Sequence, residues 1–253
     1  MGQSMGHSEA TKITVRGKDL CGDLLGKVSF TDMVFLELVG REPNRSEARL
    51  LDAVLVTLVE HGITANSLAT RLTYHAAPSS VQGAMAAGLL GAGENLLGAI
   101  EQCAQALQNI AKHPPETNDN LVRQYVASIL ETKGKIPGLG HFLHKPTDPR
   151  TQRLFEIADE ESLPSAHRDI LCKLQKATQE ASGKQLPINA DGAVAAILSD
   201  IGFDWRICRG FSVIGRSAGL LGHIWDEIGD PISRVVWDAS EVAVEYRDPF
   251  PEF

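Results

Sequence analysis

The stretch that decides the reading of this chain is Ile136-Pro137-Gly138-Leu139-Gly140-His141-Phe142-Leu143-His144-Lys145-Pro146-Thr147-Asp148-Pro149-Arg150. Residues 133–150 hold three glycines and three prolines, which break both helical and strand periodicity. A loop of this length inside a compact chain is usually functional, and a hinge between two helical lobes is expected there. Histidine titrates near neutrality, and the glycines beside His141 let backbone approach a ligand closely.

On either side of the loop the pattern is helical. Asn44 and Glu47 form a capping start for a stripe of Leu50, Leu51, Val54, Leu55, Leu58 and Val59, with Gly62 as the stop. Residues 79–100 are crowded with Gly and Ala, which permits close helix contacts but requires support from packing. Thr117 is expected to cap a helix burying Leu121, Val122, Tyr125, Ile129 and Leu130. Further helices are expected near 149–161, 164–182, 192–201, 204–216 and 218–228. Strand signals are confined to Ile13 and Val15, one short strand or extended arm.

Composition narrows the function classes. With 253 residues, 43% apolar and 22% charged, the chain is an ordinary globular sequence able to bury a large core. A net charge of −8 argues against a broad nucleic-acid surface, so any anion requires a local cationic cluster. No stretch is apolar enough to span a bilayer, the first ten residues carry no secretion or lipidation pattern, and a cytoplasmic location is expected. Cys21, Cys103, Cys172 and Cys208 have neither disulfide nor zinc spacing and are expected to be reduced thiols. His75, His144, His167 and His223 lack paired ligand spacing, so no metal is expected. Gly91, Gly93 and Gly98 follow no strand and do not make a dinucleotide site.

The loop resembles the catalytic loop of the citrate synthase superfamily, PGxGHxxxxxTDPR, with the same spacing from His141 to Arg150. Pro187-Ile188-Asn189-Ala190-Asp191-Gly192 is similar to the family's PNVD segment, Gly215-Arg216-Ser217-Ala218-Gly219 to its SRALG segment, and Glu60-His61-Gly62 to its DHG site. The similarity runs from about residue 11 to 240. The opening Arg16-Gly17-Lys18-Asp19-Leu20 and Phe30-Thr31-Asp32 resembles the compact branch, citryl-CoA lyase and the C-terminal module of ATP citrate lyase.

The resemblance implies an all-α, two-lobed fold, a small lobe over about 117–200 inserted between parts of the large lobe, and a homodimer. It implies cleavage of citryl-CoA to acetyl-CoA and oxaloacetate. The alternatives are condensation of an acyl-CoA with a 2-oxo acid, or a CoA- or citrate-binding relative with weakened catalysis. Such chemistry uses two proton-handling groups. By resemblance His141 serves the hydroxyl or carbonyl oxygen and Asp191 the acetyl carbon, although Asp191 can also cap the helix from Gly192. His61, Arg150 and Arg216 are the implied carboxylate binders, since planar, permanently charged donors suit a polycarboxylate. Each has a bland alternative, a surface ion pair for the arginines and a helix-end charge for His61. Pro137, Gly138, Leu139, Gly140 and Lys145 are the implied CoA contacts, Lys145 also reading as a solvated surface cation. No tightly bound cofactor is implied; the CoA thioester is substrate.

One departure is sharp. Where the synthases place a histidine for the enolate oxygen, the count along Gly91-Ala92-Gly93-Glu94-Asn95 reaches Glu94. A carboxyl group there helps an enolate only when protonated, and otherwise repels it. Asn95 is a second candidate donor, and Phe142 replaces a small or basic residue after the catalytic histidine.

Overall fold

The computed structural model describes residues 3–247, apart from the side chains at 95 and 96. It is helical nearly throughout, and it divides into two compact units, residues 1–56 with 100–208 and residues 57–99 with 209–253. The span 117–200 lies within the first of these. Among the described residues no helix is long and apolar enough to cross a membrane, and all four cysteines are free.

The first unit opens on a small antiparallel sheet, β1 (Gly6–Ser8), β2 (Ile13–Val15) and β3 (Lys18–Asp19), with Gly6 opposite Val15 and Thr14 opposite Asp19. Only β2 was legible beforehand, because two- and three-residue strands are too short to show alternation. Helix α1 (Phe30–Val39) starts on a reciprocal Ser29–Asp32 capping box and ends on Gly40 at φ +81°. Its Phe35 is buried edge-on against Phe203 at 5.6 Å. In α2 (Arg45–Val59) the expected cap is present: Asn44 Oδ1 accepts the Glu47 N–H at 2.9 Å and Glu47 Oε2 the Asn44 N–H at 2.8 Å.

Two expectations are corrected. Thr117 does not cap α6 (Asn118–Glu131) with its side chain; its hydroxyl donates to the Pro114 carbonyl at 2.7 Å, and the helix grows out of a tight 3₁₀ turn at Pro115–Thr117. The helices expected at 204–216 and 218–228 are one, α10 (Trp205–Gly229). Ser217, the intended break, bonds back to the Val213 carbonyl at 2.7 Å and leaves the ladder intact.

The rest of the first unit is α5 (Gly98–Ala111), α7 (Pro149–Glu160), α8 (Ala166–Ser182) and α9 (Ala190–Ile201). Residues 192–199 of α9 are all buried, as an all-round apolar helix must be, and α7 and α8 both pack on it.

In the second unit α3 (Ala65–Ala76) packs on α4 (Val81–Leu90). A Cβ on Gly88 would stand 2.9 Å from the Asn66 carbonyl and 2.8 Å from Leu220, which is why this segment is built from small residues. Arg71 and Glu227, both nearly fully buried, join Nε to Oε2 at 2.6 Å. Glu227 also accepts the N–H groups of Ile232 and Ser233, fastening the start of α11 (Ser233–Ala243).

Burial alone would raise the Glu227 carboxyl, but the Arg71 guanidinium and the Ser233 and Ile232 donors outweigh it and hold it below the usual carboxylate range. A depressed folded value means the stabilisation is complete above the ordinary glutamate range and is lost as pH falls through the folded value. Glu227→Gln, which strands a buried guanidinium, is expected to cost about 3–5 kcal/mol at neutral pH. It should also flatten the acid limb of the stability curve in denaturation between neutral and acid pH; an unchanged acid limb would refute this account.

Candidate active site

Asn189 fastens the loop of residues 136–150 to the start of α9. Its N–H donates to the Gly138 carbonyl at 3.0 Å, its side-chain amide to the Gly140 carbonyl at 2.8 Å, and its Oδ1 caps α9 by accepting the Gly192 N–H at 3.0 Å. The Gly140 N–H bonds the Pro187 carbonyl at 2.7 Å, and Leu139 pairs with Ile188 as an antiparallel bridge. Asn189 is therefore the N-cap; the capping alternative for Asp191 is corrected, and Asp191 lies half-buried in the first turn.

Two glycines make this approach possible. At φ +84° Gly138 sits in left-handed backbone, and a Cβ there would meet Cys103 Sγ at 2.7 Å and Gly192 Cα at 2.8 Å. A Cβ on Gly192 would meet the Gly138 carbonyl oxygen at 2.5 Å. The Cys103 thiol beneath is pushed up by burial first and by the charge of Asp191 second.

His141 Nδ1 accepts the N–H groups of Leu143 at 3.1 Å and His144 at 3.0 Å, so the neutral ring carries its hydrogen on Nε2. The ring stacks on Phe142 at 4.7 Å and on His144 at 4.4 Å. Arg150 Nη2 stands 3.4 Å from Nε2.

Asp148 is the buried centre of this side. Its Oδ1 accepts the Arg150 N–H and Nε, both at 3.0 Å, and its Oδ2 accepts Nη2 at 2.7 Å and the Ala190 N–H at 3.2 Å. One carboxylate thus caps α7, orients Arg150 and ties both to α9. Burial would raise this carboxyl, but the Arg150 guanidinium and N–H, with the Ala190 N–H, hold it low. Asp148 was read only as part of the motif; its position before a proline at a helix start is the N-cap signature that could have singled it out.

His141, His144 and Asp148 bring possible ligand atoms within 4.8 Å of one another. Of these, His141 Nδ1 accepts two backbone N–H groups and the Asp148 carboxylate is held by Arg150, so both belong to a hydrogen-bond network. Of the implied CoA contacts, Gly138 and Leu139 are buried, Pro137 and Gly140 half-buried, and Lys145 exposed.

The other three candidates belong to the second unit. His61 is exposed just beyond α2, Arg216 is buried on α10, and Glu94 is exposed at the first turn of a π-helical turn, Gly93–Leu97. The Asn95 side chain lies outside the described residues.

The family model described as "Citrate synthase, C-terminal domain" matches residues 23–235. A citrate synthase of Synechocystis is 27% identical over 211 residues, covering 79% of this chain and 50% of the relative. The chain spans half or less of the length of the first curated relatives it matches. Among solved structures, citryl-CoA lyase from Hydrogenobacter thermophilus superposes with a TM-score of 0.87 at 33% identity, covering 100% of this chain and 96% of that one. ATP citrate lyase from Methanothrix soehngenii, solved with citrate and coenzyme A, shares the fold at a TM-score of 0.80 and 21% identity, over 98% of this chain and 42% of that one.

Asp148→Asn places an amide N–H against the Arg150 guanidinium or the Ala190 N–H. It is expected to cost about 1–3 kcal/mol, the penalty for stranding buried donors. A lower thermal midpoint together with weaker carboxylate binding is the expected outcome; an unchanged midpoint would show that Arg150 and α9 are held by other means.

Proposed function

The chain belongs to the citrate synthase family, and on that premise we propose that it cleaves citryl-CoA to acetyl-CoA and oxaloacetate. The observation that carries this reading is the end-to-end likeness to a compact citryl-CoA lyase, each chain covering nearly all of the other. The matched citrate synthases favour the second reading, condensation of an acyl-CoA with a 2-oxo acid. Exposed Glu94 in place of the synthase histidine favours the third, a CoA- or citrate-binding relative with weakened catalysis.

In cleavage the electrons of the carbon–carbon bond pass to the thioester methylene, the hydroxyl becomes the oxaloacetate carbonyl, and one proton moves from oxygen to carbon. Asp191 serves the carbon end and His141 the oxygen end. With Nδ1 taken by two backbone N–H groups, His141 presents Nε2–H and steadies that oxygen as a hydrogen-bond donor, while the hydroxyl proton passes to the Asp191 carboxylate, which delivers it to the methylene carbon. Arg150, Arg216 and His61 hold the carboxylates. The loop glycines, with Pro137 and Leu139, admit the thioester and adenine, and Lys145 meets the CoA phosphates.

CoA is bound as substrate, with no tightly held cofactor. We further propose a homodimer, supported by Leu221, Trp225 and Ile228, which lie on one face of α10 and are exposed, Trp225 by 73%. A cytoplasmic location is proposed on the free thiols, and residues 117–200 are the proposed small lobe.

Direct assay with citryl-CoA, and separately with acetyl-CoA plus oxaloacetate, tests the reading. Asp191→Asn is expected to lower turnover by about 10²–10⁴ while CoA affinity stays within a few-fold. Wild-type exchange of acetyl-CoA methyl hydrogens by the variant would sink the assignment.

If Glu94, covered by substrate or a second subunit, donates a hydrogen bond to the enolate oxygen, Glu94→Gln keeps most activity and Glu94→Ala loses about 10²–10³-fold. Full activity in folded Glu94→Ala would assign that role to another group.

A further inference from the structure

Glu60 is the first residue beyond α2, and its position is unfavourable for the helix. The C-terminal end of a helix carries partial negative charge, and a carboxylate there gains nothing from it. Its oxygen is directed forward along the chain instead: Oε1 accepts the N–H of His61 at 2.9 Å and of Gly62 at 2.5 Å. The same oxygen meets His223 Nε2 at 3.2 Å. Burial would raise the Glu60 carboxyl, yet the Gly62 N–H, His223 and the His61 N–H together hold it low.

His223 is buried, and its Nδ1 has no hydrogen-bond partner among the described residues. A buried ring nitrogen left without a partner costs stability. Among the described residues its polar contact is Glu60.

Arg216, Gly219 and His223 lie three and four residues apart on one face of α10. Gly219 is the closing glycine of the segment that carries Arg216, and any Cβ on it would collide with the Val59 carbonyl oxygen and stand 3.2 Å from Glu60 Oε2. The face of α10 that bears a carboxylate-binding arginine is thus in direct contact with the turn that bears His61.

We propose that Glu60 and His223 are positioning residues for substrate recognition: the pair fixes the backbone at His61, and so the place from which its imidazole meets a substrate carboxylate, relative to Arg216. This rests on the reading of His61 as a carboxylate binder. Neither residue touches substrate in this scheme, and CoA recognition is independent of both.

The test uses the full chain with oxaloacetate and with CoA as separate calorimetric ligands, alongside thermal midpoints and kcat and KM. Glu60→Ala is expected to weaken oxaloacetate about tenfold, the worth of one charge-assisted hydrogen bond lost to misplacement, with CoA affinity within about twofold. Glu60→Gln should recover most of that loss, since its amide oxygen accepts the same two N–H groups. His223→Leu should move oxaloacetate affinity in the same direction as Glu60→Ala. Folded Glu60→Ala with wild-type oxaloacetate affinity, or with equal losses for both ligands, would overturn the proposal. If wild type binds oxaloacetate but His61→Ala binds it equally well, the role of His61 fails first. If wild type binds neither ligand, the functional reading itself is overturned.

Discussion

The placement of the 136–150 loop in the first unit depends on how closely it approaches the start of α9. That contact is backbone against backbone, Gly138 on Gly192, and no other residue pair leaves room for it. Asn189 closes it with three hydrogen bonds, two to loop carbonyls and one to the helix it caps. A buried carboxylate, Asp148, then fixes the far end of the same loop by binding Arg150 and the first N–H of α9 together. The loop has no regular secondary structure; its buried part, residues 136–140, has backbone groups bonded within the loop and to residues 187–189, while residues 142, 143 and 145–147 are exposed. Arg150 and Asp191 leave backbone fixed by Asp148 and Asn189, whereas the His141 ring itself holds the N–H groups of Leu143 and His144.

How much of this could be read from the chain follows from the range of the interactions. The α2 stripe and its Asn44–Glu47 cap are local, set by helical period and by a three-residue spacing, and both were legible. So were His141, Arg150, Asp191, Arg216 and His61 as candidates, because their motifs keep fixed spacing along the sequence. The partners that hold them were not. Asn189 reaches Gly140 across 49 residues and Glu60 reaches His223 across 163. No local pattern encodes such pairings. Asp148 was overlooked for the opposite reason, being too close to Arg150 in sequence to look like its partner. The helices expected at 204–216 and 218–228 join through Ser217, whose hydroxyl bonds the carbonyl one turn back and leaves the packed helix continuous.

The side chains implied in carboxylate binding are held by different means. Arg150 is gripped by a carboxylate two residues before it and is part-exposed, a cation already neutralised that must share its donors with an incoming substrate. His61 is exposed, and what is fixed is its backbone, through Glu60. An arginine compensated locally in this way leaves no bare buried charge, which would cost far more.

The same economy applies to Asp191. It stands in the first turn of a helix buried along almost its whole length, where the partial positive charge of the N-terminus favours a carboxylate. Its negative charge is felt by the Cys103 thiol, which burial first and Asp191 second push up, so the thiol stays protonated and inert. A carboxylate favoured by the helix end is suited to removing a proton from carbon, as condensation requires. Cleavage requires it to give one up. On the proposed cleavage reading, the proton that Asp191 delivers to carbon is therefore one it acquires from the substrate hydroxyl as the carbon–carbon bond opens.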